Sequence, residues 1–531
     1  MEADREQPPE AKRSRTSKIR ERVRRCIFPQ SHKDGSSSHA SDSPSRSKSQ
    51  EPAMDIISYL PKELALNILT RLESTDLLNA SQTCRTWRVL AEDDVLWRLK
   101  SKRISLPDER FLFPGSLSMD GFQRSLWKMN YIHHYRIDRN WRNDTNRAPV
   151  IIPAHKSHLI TCLLLTDDNR AVTGSDDKTL RVWSVATGKC LFSLEGHNGG
   201  VWTAELEGNL LVSGSTDRTV RTWNLEDGCH MWTFFGHAST VRCLALKNGV
   251  CVSGSRDNSL RIWKVGLNSS DSITSNVCTG VLLGHEKPVK CVRYDGVFIV
   301  SGSYDFQVRV WNPVSNACLH VLSGHTERVY SLQFDGTHVV SGSLDSSIRV
   351  WDVQTGALKH VLTGHESLIS GMHQRGNILV SGNADSTVRL WDIRSGVCLQ
   401  TLGADGVKHQ SGVVSMHFDE NFVVTASDDG TVKLWDMASG KFVRDIVSLG
   451  SPDGVIWKIV ANKTKLICAV GKRDRVVRDT AVDASKLLFF DFDTSLPTWG
   501  HPSPDSSLSD NSLPTWGHPS PDPSPDPSSF L

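Results

Sequence analysis

The chain has 531 residues, more than one hydrophobic core usually organises, so several domains or one large repeat architecture with appendages are expected. Its 61 Lys+Arg against 59 Asp+Glu leave a formal charge of +2, which excludes an overall polybasic coat for nucleic acid or membrane and confines electrostatic recognition to local patches. No apolar run approaches the roughly eighteen residues that cross a bilayer, and the N-terminus lacks an apolar leader, so a soluble, non-secreted chain with reduced thiols is expected.

Residues 1–53 combine Ser-rich stretches with the basic run KRSRTSKIRERVRR at 12–25, and they hold little apolar material to bury. Disorder is expected there, and the run reads equally as a nuclear-import signal or a solvated charge run. Residues 56–103, IISYLPKELALNILTRLESTDLLNASQTCRTWRVLAEDDVLWRLKSKR, have helical periodicity. Pro61 suits a first turn, Leu64, Ile68, Leu69 and Leu72 share one face, and Ser74 or Thr75 can cap a second helix beginning near Asp76. Three short amphipathic helices are predicted over 54–103. Residues 104–149 continue with FQRSLWKMNYIHHYRIDRNWR from Phe122, read as a helical linker that sets the orientation of the region beyond residue 150.

The dominant signal in that region is periodic. Trp183, Trp223, Trp263, Trp311, Trp351, Trp391 and Trp435 are spaced by 40, 40, 48, 40, 40 and 44 residues. A Gly-His lies 26 residues before Trp in five units (His197, His237, His285, His325, His365), and His409 keeps that distance without its Gly. Asp177, Asp217, Asp257, Asp305, Asp345, Asp385 and Asp429 each stand six before the Trp, and Thr173, Ser213, Ser253, Ser301, Ser341, Ser381 and Thr425 ten before it. Each unit alternates period-two apolar strands such as VRCLAL, VCVSGS and SLRIWKV with Gly, Asn and Asp turns, which predicts four antiparallel strands per unit. A degenerate eighth unit from about Val455 reads GVIWKIV, KLICAV and KLLFFDFD, and residues 150–152 can supply its missing outer strand. The expected fold is therefore an all-β eight-bladed propeller over 150–493, with seven blades plus an extra element as the alternative.

Residues 494–531 lack Lys and Arg, are rich in Pro, Ser and Asp, and contain SLPTWGHPSPD twice; they are expected to be disordered, with Ser503, Ser520 and Ser524 preceding Pro as candidate phosphorylation sites. Among the twelve cysteines there is no CxxC pair, and Cys190, Cys318 and Cys398 each follow a Trp by seven, which predicts buried packing residues. The Ser, His and Asp of each unit invite a hydrolase reading, but catalysis needs one distinct copy and these recur at fixed spacing. They read instead as a repeated hydrogen-bond network that ties a loop to the inner strands. No phosphate loop, dinucleotide fingerprint or HExxH is present, so no enzyme, cofactor or metal is implied.

The periodic units resemble WD repeats. At 56–103 the order LPxEL, IL, DLL, TCRxWRxLA and LW resembles an F-box, which implies docking of a Skp-type adaptor on Leu60, Pro61, Leu64, Ile68, Leu69, Leu72 and Leu77. Trp97 belongs either to that surface or to the internal core. The whole, with STVRC at Ser239, GSRDNSLRIW at Gly254, SYDFQVRVW at Ser303, RVYSLQFDG at Arg328 and VSGNADSTVRLWD at Val380, resembles the archipelago group of F-box WD-repeat receptors in cullin–RING ubiquitin ligases.

Positions that hold a blade together must recur, whereas those facing a ligand vary. Five residues after the Gly-His histidine stand Trp202, Arg242, Lys290, Tyr330 and Ser370; just before the turn Asp stand Thr216, Arg256, Tyr304, Leu344 and Ala384, with Arg218 just after its own. Cations concentrated there suit a localised anion, whereas Arg181, Arg221, Arg261, Arg309, Arg349 and Arg389 recur too regularly to mark a site. The resemblance implies that Arg242 and Arg256 hold the principal phosphate of a phosphothreonine-proline degron, supported by Ser239 and Thr240, with Trp202, Arg218, Tyr304 and Tyr330 lining the pocket. Lys290 departs from the family's third arginine, and Lys458 likewise stands where an arginine is expected. A lysine keeps the charge but loses the planar fork, which predicts weaker phosphate binding. The implied role is a non-catalytic substrate receptor in nucleus and/or cytoplasm that joins phosphorylated proteins, through the adaptor, to cullin and RING subunits. A scaffold for an unphosphorylated partner is the alternative, nucleic-acid binding through residues 12–25 ranks below both, and dimerisation is left open.

Overall fold

The computed structural model describes residues 55–103, 125–143, 148–155, 158–266, 277–404, 406–450, 454–472 and 485–493. The expectations for 1–53 and 494–531 and for the stretch 104–124 lie outside the described residues.

Residues 55–103 form five helices rather than three: α1 (Ile56–Tyr59), α2 (Lys62–Leu69), α3 (Ser74–Ala80), α4 (Arg85–Ala91) and α5 (Asp94–Arg103). Pro61 precedes α2 as its N-cap, where a missing N–H costs nothing. Neither Ser74 nor Thr75 caps α3; the helix begins at Ser74, whose hydroxyl is 2.6 Å from that of Tyr131. Ile57, Leu69, Leu72, Leu77, Trp87, Leu90, Leu96 and Trp97 close one core, and the Trp97 Nε1–H donates to the Ala91 carbonyl at 2.6 Å, so Trp97 is internal.

The predicted linker contains α6 (Leu126–Asn143), which serves two cores. Its first half offers Tyr131 to the helical unit, 5.3 Å from the Trp97 ring, and Lys128 pairs with Glu92. Its second half inserts Ile137 and Trp141 among Phe422, Leu434, Leu466 and Phe492 of the sheet region. Trp141 stacks on Phe492 at 3.8 Å and donates to the Lys463 carbonyl at 2.9 Å, while Arg142 reaches Asp436 at 2.9 Å. The helix is thus a strut fixed at both ends. Among the described residues, no helix is long and apolar enough to cross a membrane.

The remaining residues form eight four-stranded antiparallel sheets, the blades of a propeller. Blades 1 to 7 each use four consecutive strands, as in blade 3: Val241–Lys247, Val250–Ser255, Leu260–Lys264 and Cys278–Leu282. Blade 8 takes Gly454–Ala461, Lys465–Lys472 and Lys486–Asp491 from the end of the domain and Val150–Pro153 from its start, with Val150 opposite Phe489 and Pro153 opposite Lys486. Closure by the two chain ends removes the two free flanks that an open ring would leave. The core is distributed as wedges between neighbouring blades; Leu210, Val212 and Val220 of blade 2, for example, meet Val241, Leu244 and Trp263 of blade 3. The cysteine expectation is corrected: Cys190 and Cys318 are exposed and Cys398 is half-buried, because each lies on the outermost strand of its blade. Among the described residues, the buried thiols are Cys251 and Cys468, on second strands.

Candidate functional site

The recurring polar residues form the expected framework. In seven blades the histidine Nδ1 lies 2.7–3.3 Å from the Asp carboxylate. Its Nε2 lies 2.7–2.9 Å from the Ser or Thr hydroxyl. The Trp Nε1–H donates to that same hydroxyl at 2.8–2.9 Å. His155 completes blade 1, a position sequence periodicity missed because it stands 28 rather than 26 residues before its Trp. Burial alone would raise the Asp177 carboxyl, yet hydrogen bonds from His155 and Thr179 hold it at about 2. Sevenfold repetition and imidazoles with at most 1% side-chain exposure make these tetrads structural.

The recurring arginines explain the Gly of Gly-His. A Cβ on Gly236, whose φ is +154°, would stand 2.7 Å from Arg261 Nη1, and Gly196, Gly284 and Gly364 face Arg221, Arg309 and Arg389 in the same way. Blade 7 loses both partners together. Lys408 replaces the Gly, and Lys433, in the arginine's place, pairs with Asp445 at 2.8 Å.

The variable positions have a common local cause. Every innermost strand carries a register shift near its start, and the bulged residues are Thr161, Trp202, Arg242, Lys290, Tyr330, Ser370, Val414 and Trp457. A bulge frees its residue from the ladder and re-aims the side chain, so the fold presents a ring of eight interchangeable side chains around one mouth of the channel. The residue directly after the turn Asp, Arg218 in blade 2 and Phe306 in blade 4, is held at φ 72° and 74°, a left-handed conformation that disfavours side chains.

At that mouth, four predicted residues converge. Arg242 Nη1 donates to the Tyr304 hydroxyl at 3.2 Å, with its guanidinium carbon 5.6 Å from the ring centre. Tyr304 and Tyr330 are 5.3 Å apart, and the Lys290 ammonium lies 6.0 Å from the Tyr330 ring. Arg256 is exposed on the turn of blade 3, its backbone N–H donating to the Thr240 carbonyl at 2.9 Å, and the Ser239 carbonyl accepts from the Ser255 hydroxyl at 3.1 Å. Trp202 and Arg218 stand exposed on the neighbouring blade 2, with no hydrogen bond or ring contact to this cluster among the described residues.

Lys290 and Tyr330 also line a cavity of about 550 Å³ that descends past Cys243, Cys291, Glu205 and Arg293 and includes Lys458. Lys458 lies one residue past the bulge position, which Trp457 occupies, so it enters the channel one step below the mouth ring. It touches channel solvent, but enclosure by protein and the nearby Lys290 charge lower its pKa. Sequence reasoning missed Arg328 as a site residue; its guanidinium carbon lies 5.3 Å from the Tyr304 ring. Its repeat position, three after the histidine, holds Gly200, Thr240, Pro288, Leu368 and Gly412 elsewhere, and that comparison would have found it. A larger cavity, about 870 Å³, lies away from the mouth between α4 and α6, lined in part by Arg85, Arg88, Met129 and Arg136.

On the helical unit, the adaptor-facing assignment needs correction. Leu69, Leu72 and Leu77 are 0%, 3% and 0% exposed and belong to the unit's own core, because α2 and α3 turn that stripe toward Trp87 and Trp97. Leu64 is 52% exposed, Pro61 is exposed, and Leu60 and Ile68 are half-buried. The surface adds Tyr59, Val89, Val95 and Leu99 as exposed apolar side chains.

Comparison with known proteins agrees with this architecture. Residues 57–103 match the F-box-like family model, and 148–184, 188–224, 228–264, 276–312, 316–352, 356–392 and 396–436 match the WD domain, G-beta repeat. The Drosophila melanogaster F-box/WD repeat-containing protein 7 is 52% identical over 154 residues, 28% of this chain and 12% of that protein. The Caenorhabditis elegans F-box/WD repeat-containing protein sel-10 is 38% identical over 185 residues, 29% of this chain and 31% of that protein. An Arthroderma otae protein named as a probable E3 ubiquitin ligase complex SCF subunit, sconB, is 29% identical over 161 residues, 26% of this chain and 23% of its own. The aligned regions thus span less than a third of these relatives. Among solved structures, the computationally designed Ika8 protein superposes over its whole length and 65% of this chain with a TM-score of 0.56 and 30% identity. A helical F-box-like motif at 57–103 joined by a two-core strut to closed WD repeats places this chain among the F-box/WD-repeat proteins.

Proposed function

We propose that this chain is the non-catalytic substrate-recognition subunit of an SCF-type ubiquitin ligase. It binds phosphorylated degrons at the propeller mouth and a Skp-type adaptor through Leu60, Pro61, Leu64 and Ile68, and thereby reaches cullin and RING subunits. A separate conjugating enzyme supplies the ubiquitin that directs the bound protein to proteasomal degradation, in the nucleus, the cytoplasm or both.

The observation that carries this reading is the convergence of Arg242, Tyr304, Tyr330 and Lys290 on bulges and turns of blades 3 to 5, with Arg256 exposed on the turn of blade 3. A phosphate dianion suits such a site: an Arg fork binds two of its oxygens, and each charge-assisted hydrogen bond contributes about 1.5–3 kcal/mol. The two phenol rings offer flat faces to a proline or aliphatic neighbour.

The test is a titration of a doubly phosphorylated Thr-Pro peptide and its unphosphorylated twin into the chain bound to its adaptor. Phosphate-dependent binding that weakens by about 2–5 kcal/mol in Arg242→Ala is expected, the loss typical of one partner in a desolvated charge pair. Equal binding of both peptides would transfer the mouth to the alternative, a scaffold for an unphosphorylated partner.

A further inference from the structure

The guanidinium of Arg328 contacts the same Tyr304 ring as Arg242, and in blade order Arg328 (entering blade 5) and Arg256 (blade 3) stand on either side of Tyr304 (blade 4). Ser239, Thr240 and Arg256 belong to blade 3 and its entering loop; Arg328 belongs to the loop that enters blade 5, and its carbonyl accepts from Leu344 N–H at 2.9 Å. Its side chain is exposed, and it is the sole cation at its repeat position among Gly200, Thr240, Pro288, Leu368 and Gly412. A framework role would recur in other blades, and this one does not.

We propose that Arg328 forms a second anion subsite, which takes an acidic or phosphorylated side chain lying on the other side of the phosphoresidue from any that reaches Arg256. This rests on the phosphopeptide reading of the mouth. The two ring contacts place the Arg242 and Arg328 guanidinium carbons at most about 11 Å apart, end to end across Tyr304. An extended chain advances about 3.3–3.6 Å per residue, so an anion held by Arg328 lies within about three residues of the phosphoresidue. The bound segment is then held by charge on both flanks of its phosphoresidue, with Tyr304 as the shared wall between the subsites.

The experiment uses the full chain with its adaptor and three phosphothreonine peptides: one with neutral flanks, one with Glu two or three residues N-terminal to the phosphate, and one with Glu equally far C-terminal. Each is titrated against wild type, Arg328→Gln and Arg256→Gln, with thermal melts confirming that the variants fold. Arg328→Gln should weaken one acidic peptide about fivefold, the scale of one solvent-exposed charge pair, and leave the neutral peptide unchanged. Arg256→Gln should weaken the opposite acidic peptide in addition to its effect on phosphate. Equal weakening of all three peptides by Arg328→Gln would make it a positioning residue for Tyr304 and overturn the subsite, as would no weakening, or loss confined to the peptide that also depends on Arg256. Failure of wild type to prefer any phosphopeptide over its unphosphorylated form would instead remove the reading beneath it.

Discussion

Replacing Trp141 by Ala should separate binding from ubiquitin transfer. Trp141 is 4% exposed, stacks on Phe492 at 3.8 Å, lies 6.0 Å from Phe422 and donates to the Lys463 carbonyl at 2.9 Å. Truncating a buried Trp to Ala typically costs about 3–5 kcal/mol through lost contacts and the cavity left behind. About 1–3 kcal/mol of such a loss is what an unpaired buried carbonyl, here that of Lys463, costs. Trp141→Phe keeps the stack and loses only the donor, so its cost should lie near the lower of these figures. The indole enters at Phe422 and Lys463, the ends of strands remote from the mouth, since Val413 begins its strand at the mouth and Phe418 ends it at the far face. Phosphopeptide affinity of Trp141→Ala should therefore match wild type, while hydrogen exchange within α6 accelerates and ubiquitin transfer to the bound substrate falls as the strut loses one anchor. Denaturant unfolding, exchange and peptide titration check the three parts. A stability loss under about 1 kcal/mol with unchanged exchange in α6 would refute the two-anchor account of the strut.

Lys290→Arg should tighten phosphopeptide binding by up to about tenfold, as a planar fork replaces a point charge, and equal affinities in a calorimetric titration would contradict it. Arg218→Gly should raise stability by about 1 kcal/mol, because Gly accepts the left-handed φ of 72° without a Cβ clash; a lower melting temperature would count against strain there. Burial, reinforced by neighbouring positive groups, holds His134, His373 and His417 at about 4; burial does the same for His365 against the pull of Asp385. The unfolded chain binds more protons at these four sites between their ordinary value near 6.5 and 4, so stability is full above that window and falls as pH drops through it. The Asp177 carboxyl, held at about 2, contributes stability above its unfolded pKa near 4 and loses it only in more acid solution. Urea midpoints measured from about pH 7.5 to 4.5 should decline, with a shallower slope in His373→Gln, and a flat profile would refute the assignment.

Much of the fold was legible because a propeller repeats itself. The spacing of Trp183 to Trp435, with Asp and Ser or Thr at fixed offsets, specified seven blades, and unit comparison separated the recurring Arg221 and Arg261 from the variable Arg242 and Lys290. Repetition imposes the same local hydrogen-bond geometry in each blade, and any residue that escapes it stands out. His155 was missed because the connection entering blade 1 differs by two residues, and the bulge that makes Trp457 the blade 8 equivalent of Arg242 is invisible to spacing.

The helical unit was less legible for a related reason. A stripe at 3.6-residue spacing says that one face is apolar, not what covers it, and packing turned Leu69, Leu72 and Leu77 inward while leaving Leu64 outside. By itself the sequence determined the repeat, its polar tetrads, the closing strand and the ring of variable positions, all consequences of local pattern. Tertiary structure alone decided that Arg328 would share the Tyr304 ring with Arg242, residues 86 apart in the chain, and that Trp141 would lock α6 to Lys463 and Phe492 more than 300 residues away. Such contacts depend on how blades and helices close in space, and no short-range periodicity encodes that closure.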